Sequence, residues 1–471
     1  MVLNKKTKVP EETISEADFL KIRESILQNI RPNDSEKQRL EAAKSELIEI
    51  VCRTAEKFNE TDVIPISVGS AERSTWLSGN HDIDLFVSYP EEVSREEMEK
   101  RSRRLLMEVA KTGNSWEDRH SEHPYIHIRK DGFEIDLVPC FRVKSASEIK
   151  SAVDRTPFHC RFIKERIQGK EDEVLLLKQF MKGTGVYGSE VRNGGFSGYL
   201  TEILVIRYGS FENVLKKAAY WRFGENIDLM NHQSQPHSDP LVVTDPTDPN
   251  RNVAAALSLT RFSQFVNAAG RYMKNPDIGF FTKPDYPPLS PTDFKKIVSL
   301  RGTDWMAVTF PAPKKADDTL YPQLFRLENS LAEILTANDF TVMNTHAFAE
   351  SEGNCVLLIE LASKKLPPLQ KRTGPPVWAV ENTQSFYDKY KDHPDTFTLK
   401  IKNEFIVAEI VRKYQSAEQL IADKILKEAA LGRHVRDAVL SGYEIIGIEE
   451  ICKIKSPAFW KMMNEKLTKQ I

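Results

Sequence analysis

Apolar positions along this chain recur with two different periods, and the changeovers between them divide it. From Glu16 to Phe58 they take helical steps: Phe19, Leu20, Ile26 and Ile30, then Leu40, Ala43, Leu47, Ile50 and Val51, the three- and four-residue spacing of one helix face. Pro32-Asn33-Asp34-Ser35 interrupts them, so two helices are predicted, the second opened by an Asp or Ser cap. Four short runs follow: DVIPISVGS, HDIDLFVSYP, PYIHIRK and FEIDLVPCFRV. Each is rich in Val, Ile, Leu and Phe and bounded by turn residues, which is the signature of strands. Between the second and third, SREEMEKRSRRLLMEVAKTG is amphipathic with helical spacing and ends in Gly. A mixed sheet with helices packed on one side accounts for residues 1–150.

Residues 151–282 return to helical spacing, through TPFHCRFIKERIQG, DEVLLLKQFMKG and NVAAALSLTRFSQFVNAAGRYMKN, with Gly clusters between the helices. They form a helical central domain. KPDYPPLSPTDF has a linker's composition. Beyond it DWMAVTFPAP, LYPQLFRLENSLAEILTANDF, FTVMNTHAFAE and NCVLLIELASKKLPP are predicted as strand, helix, strand, strand. Residues 283–403 are therefore assigned to the start of a body and a small α+β tail domain, and 404–471 to a helical body segment. The predicted class is multidomain α+β, with no internal repeat or low-complexity tract.

Composition narrows the functional classes. With 40% apolar and 28% charged residues in 471, the chain has the make-up of a soluble globular protein. No stretch approaches ~20 consecutive apolar residues, and the charged start MVLNKKTKVPEETISEADF lacks a signal-peptide core, so no membrane partner and a cytoplasmic location are expected. Lys+Arg 66 against Asp+Glu 68 leaves a net charge of -2, so any polyanion site must be local. The five cysteines, Cys52, Cys140, Cys160, Cys355 and Cys452, are scattered without C-x-x-C spacing, which supports neither a disulfide framework nor a cysteine zinc site.

The chemistry lies in the strands. In HDIDLF, alternation puts Asp82 and Asp84 on one face, about 6.6 to 7 Å apart along the strand, with Ile83, Leu85 and Val87 opposite toward a core. Neighbouring carboxylates repel, and partial burial raises that cost unless a cation joins them. EIDLVPC repeats the arrangement with Glu134 and Asp136, and an adjacent strand could bring Asp136 against the first pair. Three carboxylates are what two divalent ions about 3.5 to 4 Å apart need for in-line phosphoryl transfer, and Mg2+ is the natural hard cation. Gly69 permits close backbone approach, while Ser70 and Arg73 can hold phosphate oxygens. Each piece alone has a plainer reading, an exposed alternating strand or a turn; the combination is much rarer.

GSAERSTWLSGNHDIDLF together with EIDLVPCF resembles the DNA polymerase β-type nucleotidyltransferase superfamily. More specifically, Gly69, Ser70, Arg73, Thr75 and Trp76, with DRTPFH, EVLLLKQFMKGTGVYGSE, GGFSGYLTEIL and DPTDPNRNVAAALS, are similar to the archaeal, class I CCA-adding enzymes. The resemblance implies a nucleotidyltransferase palm, a helical central domain, and an RNP-like tail with a helical body that grips tRNA. It makes Asp82, Asp84 and Asp136 the catalytic metal ligands. It makes Gly69, Ser70, Arg73, His159, Lys178, Tyr187 and Arg251 nucleotide-binding, with Arg251 helping to select the base. It implies CTP, ATP and the acceptor and T-stem region of tRNA as partners, with a homodimer left open. Two departures stand out: Asp82 replaces a frequent Glu, and Ala71-Glu72 replaces a Tyr-Ala, placing an acid close to the expected triphosphate.

Without the resemblance His159 would be a half-buried histidine satisfied by a carbonyl, and Tyr187 either stacks on a base or ribose or closes a turn. Lys178, in the apolar VLLLKQFM, either snorkels or meets an anion. His120, His123 and His127 are taken as structural or exposed. For RNA, SKKLPPLQKRTGPPVW offers Lys364, Lys365, Lys371 and Arg372, and LGRHVRDAV offers Arg433 and Arg436. A solvated basic loop is the commoner explanation of such runs, and phosphate tracking is the functional one. A poly(A) polymerase or an oligoadenylate synthetase would share the carboxylate argument, whereas the intact Asp82, Asp84 and Asp136 argue against an inactive RNA-binding relative.

Overall fold

Two helices, α1 (Glu16–Ile30) and α2 (Asp34–Lys57), precede the first strand. The second is opened by Asn33, not by the expected Asp or Ser: its side chain accepts from Glu36 N at 2.9 Å while the Glu36 carboxylate accepts from Asn33 N. A sheet follows from β1 (Ile64–Val68), the short α3 (Gly69–Glu72), β2 (Asp82–Pro90), α4 (Arg95–Ala110), β3 (Ser115–His120), β4 (Pro124–Lys130) and β5 (Phe133–Arg142). The order is β1-β2-β5-β4-β3, with β2 and β5 parallel and the other neighbours antiparallel. β3 was not expected, because SWEDRH has one apolar residue, Trp116, and a run of charges in place of apolar alternation, as suits a strand at the sheet edge. One face buries Ile83, Leu85, Val87, Ile135 and Leu137 under Leu47 and Val51 of α2 and Leu105 and Val109 of α4. The other carries the carboxylates and, further along, Phe86 and Cys140.

The second domain runs through α5 (Thr156–Arg166), α6 (Glu171–Gly183), α7 (Gly198–Tyr208), α8 (Phe211–Ala218), β6 (Glu225–Ile227), β7 (Leu241–Asp245), β8 (Asp248–Asn252) and α9 (Leu259–Lys274). A small β6-β7-β8 sheet thus interrupts the expected helices. Its core takes in Ile26, Leu27 and Ile30 of α1, and Arg23 grips Glu173 through two bonds of 3.1 and 2.6 Å. The sequence reading put α1 in the palm; its buried face belongs to the helical domain.

The structure is a computed structural model that describes residues 16–120, 123–146, 148–350 and 353–468. It divides into two compact units, Met1–Pro284 and Asp285–Ile471. The second holds α10 (Pro291–Arg301), β9 (Asp304–Pro311), α11 (Asp317–Ala337), β10 (Val342–Ala349), β11 (Asn354–Leu361), β12 (Leu369–Pro376), α12 (Val380–Tyr390), β13 (Thr396–Lys402), β14 (Phe405–Val411), α13 (Ala417–Lys424), α14 (Arg433–Ser441), β15 (Glu444–Gly447), α15 (Ile448–Ile451) and α16 (Pro457–Leu467). β10-β11-β9-β15 make one sheet and β12-β14-β13 another. The expectation that residues from 404 onward are helical is corrected at two places. β14 is the central strand of the second sheet, paired with β13 across Asn403, and β15 returns to the edge of β9. Among the described residues no helix is long and apolar enough to cross a membrane.

Candidate active site

The parallel pairing of β2 and β5 sets Asp84 opposite Asp136 and Asp82 opposite Glu134. Residues opposite each other in register share a face, so the three expected carboxylates point the same way. They are electrostatic neighbours. Burial, and then Asp136, push the Asp84 carboxyl up to about 6, and burial with Asp136 and Glu134 also raises Asp82. Gly69 makes the close approach possible: it has φ +76°, and a Cβ there would lie 1.9 Å from Asp84 Oδ2. The residue after β1 must therefore be glycine for two independent reasons.

These acids are not gathered around one point. Among the described residues no group of three His, Cys, Asp or Glu side chains is arranged to hold a metal ion. Asp82 is held by Asn80 Nδ2 at 2.9 Å, and Asp136 Oδ1 lies 2.6 Å from His127 Nδ1. The donor set nevertheless fits a hard divalent cation, being all carboxylate oxygen on one face with a mutual charge that only a cation relieves. His127, taken from sequence as structural or exposed, is buried and bridges Asp136 to Glu134, whose Oε2 lies 2.5 Å from Nε2. It orients a candidate ligand, as outer-shell histidine contacts do.

Glu36 anchors the loop leading to Asp82, accepting from Ser78 Oγ and Gly79 N at 3.0 Å each. Glu72, the acid expected to trouble a triphosphate, turns away from the carboxylate face: Lys44 of α2 at 2.9 Å and Lys164 of α5 at 2.5 Å hold it. Ser70 sits half-buried in α3. Arg73 is buried, with Nε donating to Glu202 Oε1 at 3.0 Å. Lys178 is buried as well and donates to the main-chain oxygen of Thr75 at 2.8 Å. Burial pulls the Lys178 ammonium down to about 8.

A second cluster centres on Asp245 at the end of β7. It accepts from Arg251 Nη1 at 2.7 Å, Tyr199 OH at 3.1 Å and Thr247 N at 2.9 Å, and lies 2.8 Å from His159 Nε2. His159 stacks on Tyr199, with ring centroids 4.1 Å apart. Burial with Arg251 and Arg155 nearby keeps His159 below its ordinary value, while His159, Thr247 and Arg251 hold Asp245 as an anion. Arg251 and Arg155 also line a pocket of about 520 Å³ with Ser197, Asp248 and Asn252. Tyr187 is half-buried, with the Lys182 ammonium 5.6 Å above its ring. Asp245, Glu202 and Tyr199 were missed from sequence. The signal for Glu202 was present: an acid inside the apolar run YLTEILVI, the mirror image of Lys178.

The basic residues of the other unit divide. Lys364 is paired with Glu418 at 3.2 Å, so the acid-free impression of its stretch fails in space. Lys365, Lys371, Arg372, Arg433 and Arg436 are exposed.

Three family models match in order along the chain: a nucleotidyltransferase domain over 44–159, a tRNA nucleotidyltransferase second domain over 172–282, and a CCA-adding enzyme C-terminal domain over 301–447. The CCA-adding enzyme of Methanosarcina acetivorans is 46% identical over 457 residues, covering 97% of this chain and 98% of the relative. This chain belongs to the CCA-adding enzymes. That of Methanosarcina mazei is 47% identical over 92% of this chain and 95% of its own. The enzyme is thus a tRNA nucleotidyltransferase, as its motifs suggested. A solved Cid1 poly(U) polymerase with Mg and 3'-dATP bound covers 57% of this chain and 100% of its own at 15% identity and a TM-score of 0.46, a likeness too loose to argue from.

Proposed function

We propose that this CCA-adding enzyme completes and repairs the 3' end of tRNA with C, C and A from CTP and ATP, without a nucleic-acid template, and works in the cytoplasm. Members of this superfamily use divalent ions, and Mg2+ suits the carboxylate set of Asp82, Asp84 and Asp136. Bound there, the ions would supply charge neutralisation at the attacking hydroxyl and the triphosphate. The chain's own part is positioning. Gly69 leaves room for Asp84, His127 fixes Asp136, and Ser70, Arg73 and Lys178 place positive and hydrogen-bonding groups for phosphate. No side-chain nucleophile is required, because the tRNA 3'-hydroxyl attacks the α-phosphate and pyrophosphate leaves. His159, Tyr199 and Arg251 are read as the base and ribose end of the pocket, locked together by Asp245.

One observation carries this reading: Asp84 and Asp136 stand in register on parallel strands with Gly69 against Asp84. The test is radiolabelled incorporation into tRNA lacking its terminus. CTP alone should be added twice and then stop until ATP is supplied; a poly(A) polymerase would add nothing from CTP.

A further inference from the structure

Behind the carboxylate face lies a set of interior charges that the carboxylate chemistry does not use. Glu202 of α7 has no solvent exposure. Its Oε1 accepts from Arg73 Nε at 3.0 Å and Thr75 Oγ1 at 2.5 Å, with Lys178 Nζ at 3.8 Å. Its Oε2 has no hydrogen-bond partner among the described residues. One carboxylate therefore gathers a guanidinium from the segment after α3 and an ammonium from α6. Within this set one acid faces two cations, and Arg73 also favours the ionised form of Asp84, so its charge serves both the interior acid and the carboxylate face. The start of α7 packs close to these groups: a Cβ on Gly198 would lie 3.1 Å from Tyr187 OH and 3.8 Å from Lys178 Nζ. Lys178 meets Glu202 at 3.8 Å while donating to the Thr75 carbonyl oxygen at 2.8 Å, so the interior acid and the main chain at Thr75 together fix the ammonium.

We propose that Glu202 is a positioning residue that holds Arg73 of the palm and Lys178 of the second domain at one point, so that both cations serve the incoming triphosphate together. This rests on the reading of Arg73 and Lys178 as nucleotide contacts. Were Glu202 neutral, the two cations would repel each other across a few ångströms of low-dielectric interior and separate. Thr75 contributes twice, as a donor to Glu202 and as the carbonyl that receives Lys178.

The experiment measures KM for CTP, ATP and tRNA, with kcat, for Glu202→Gln, Glu202→Asp and Lys178→Ala in the full chain. Glu202→Gln keeps the volume and loses the charge; KM for both nucleotides should rise about tenfold or more, with the KM for tRNA unchanged. A purely structural role would lower kcat through the folded fraction and leave nucleotide KM alone. Glu202→Asp keeps the charge one methylene short and should give an intermediate KM; if the Gln variant does not fold, this variant decides. Unchanged or tighter nucleotide binding in the folded variants overturns the proposal. If Lys178→Ala weakens nucleotide binding while both Glu202 variants do not, only the positioning role falls; if Lys178→Ala has no effect, the reading of Lys178 falls instead.

Discussion

Two charged clusters lie on either side of the segment Gly69–Thr75, and they are built on opposite principles. On the sheet face Asp82, Asp84 and Asp136 crowd like charges, and Asp82 and Asp84 are pushed toward their neutral forms. In the interior Glu202, Arg73 and Lys178 pair unlike charges, and Glu202 is held ionised despite its burial by Arg73, Lys178 and Thr75. An unsatisfied cluster is waiting for a ligand, whereas a satisfied one sets geometry. The largest test is Asp84→Asn, which should lower incorporation at least about 10³-fold while tRNA affinity stays within about twofold. The same substitution should raise the melting temperature of the metal-free protein. Folded Asp84 keeps its proton up to about 6, above the unfolded value, so folding is penalised as pH rises through that window and fully so at neutrality. Relieving about 1 kcal/mol raises Tm by about 2–4 °C in a unit of this size.

The interior cluster should answer with the opposite sign. Glu202→Ala leaves Arg73 and Lys178 buried without their anion, a loss of about 3–5 kcal/mol that denaturant unfolding would register. Were both substitutions destabilising by like amounts, the contrast between the clusters would be wrong. Gly69→Ala comes next. It forces a positive φ on a residue with a side chain and drives its Cβ into Asp84 Oδ2, so about 1–3 kcal/mol of stability and roughly 10²-fold in kcat should be lost, with nucleotide KM changing less.

How much of this contrast could be read beforehand follows from the same physics. Asp82, Asp84 and Asp136 were legible because strand period and apolar flanks fix the side on which a carboxylate emerges. Lys178 was legible as an anomaly in an apolar helix. Glu202 carried the same anomaly with the opposite sign, but one-dimensional spacing cannot say that residues 178 and 202 meet. His127 was lost for another reason: the choice between a structural histidine and an orienting one depends on register, which puts it opposite Asp136. Helix α1 has a clear pattern, yet a pattern does not name the core that receives it. β14 and β15 were missed because short runs such as FIVAEIV and EIIG are ambiguous between helix and strand until a partner strand is present.

A pH profile sharpens the interior side of the comparison. Burial is the largest influence bringing Lys178 down to about 8, with Arg73 and Lys182 adding to it and Glu202 opposing. CTP affinity should therefore weaken as pH rises through about 8, approaching tenfold per unit at the steepest. Stability moves the other way: between the folded and unfolded lysine values the unfolded chain binds more protons, so stability rises with pH across that range. Lys178→Arg should abolish the affinity limb, since a guanidinium stays charged there. Isothermal titration of CTP from pH 7 to about 9.5 reads it directly.

The smallest expected effect asks whether the rule of paired against unpaired charge reaches the basic residues of the other unit. Lys364 is tied to Glu418 and its main-chain N–H to Asp304, whereas Lys371 and Arg372 lie exposed on β12 without a close ion pair among the described residues, the acids that feel their charge, Glu409 and Asp339, being already bonded to Lys400 and Arg412. A cation already neutralised releases few counterions when RNA binds; an unpaired one releases its share. Lys371→Ala should therefore weaken tRNA binding about threefold and lower the salt slope by about 0.7–0.9. Lys364→Ala should leave that slope unchanged and cost only the ~0–1 kcal/mol of a surface pair. Filter binding of tRNA across a salt series separates them, and equal slopes for the two variants would confine the rule to the palm and its helical partner.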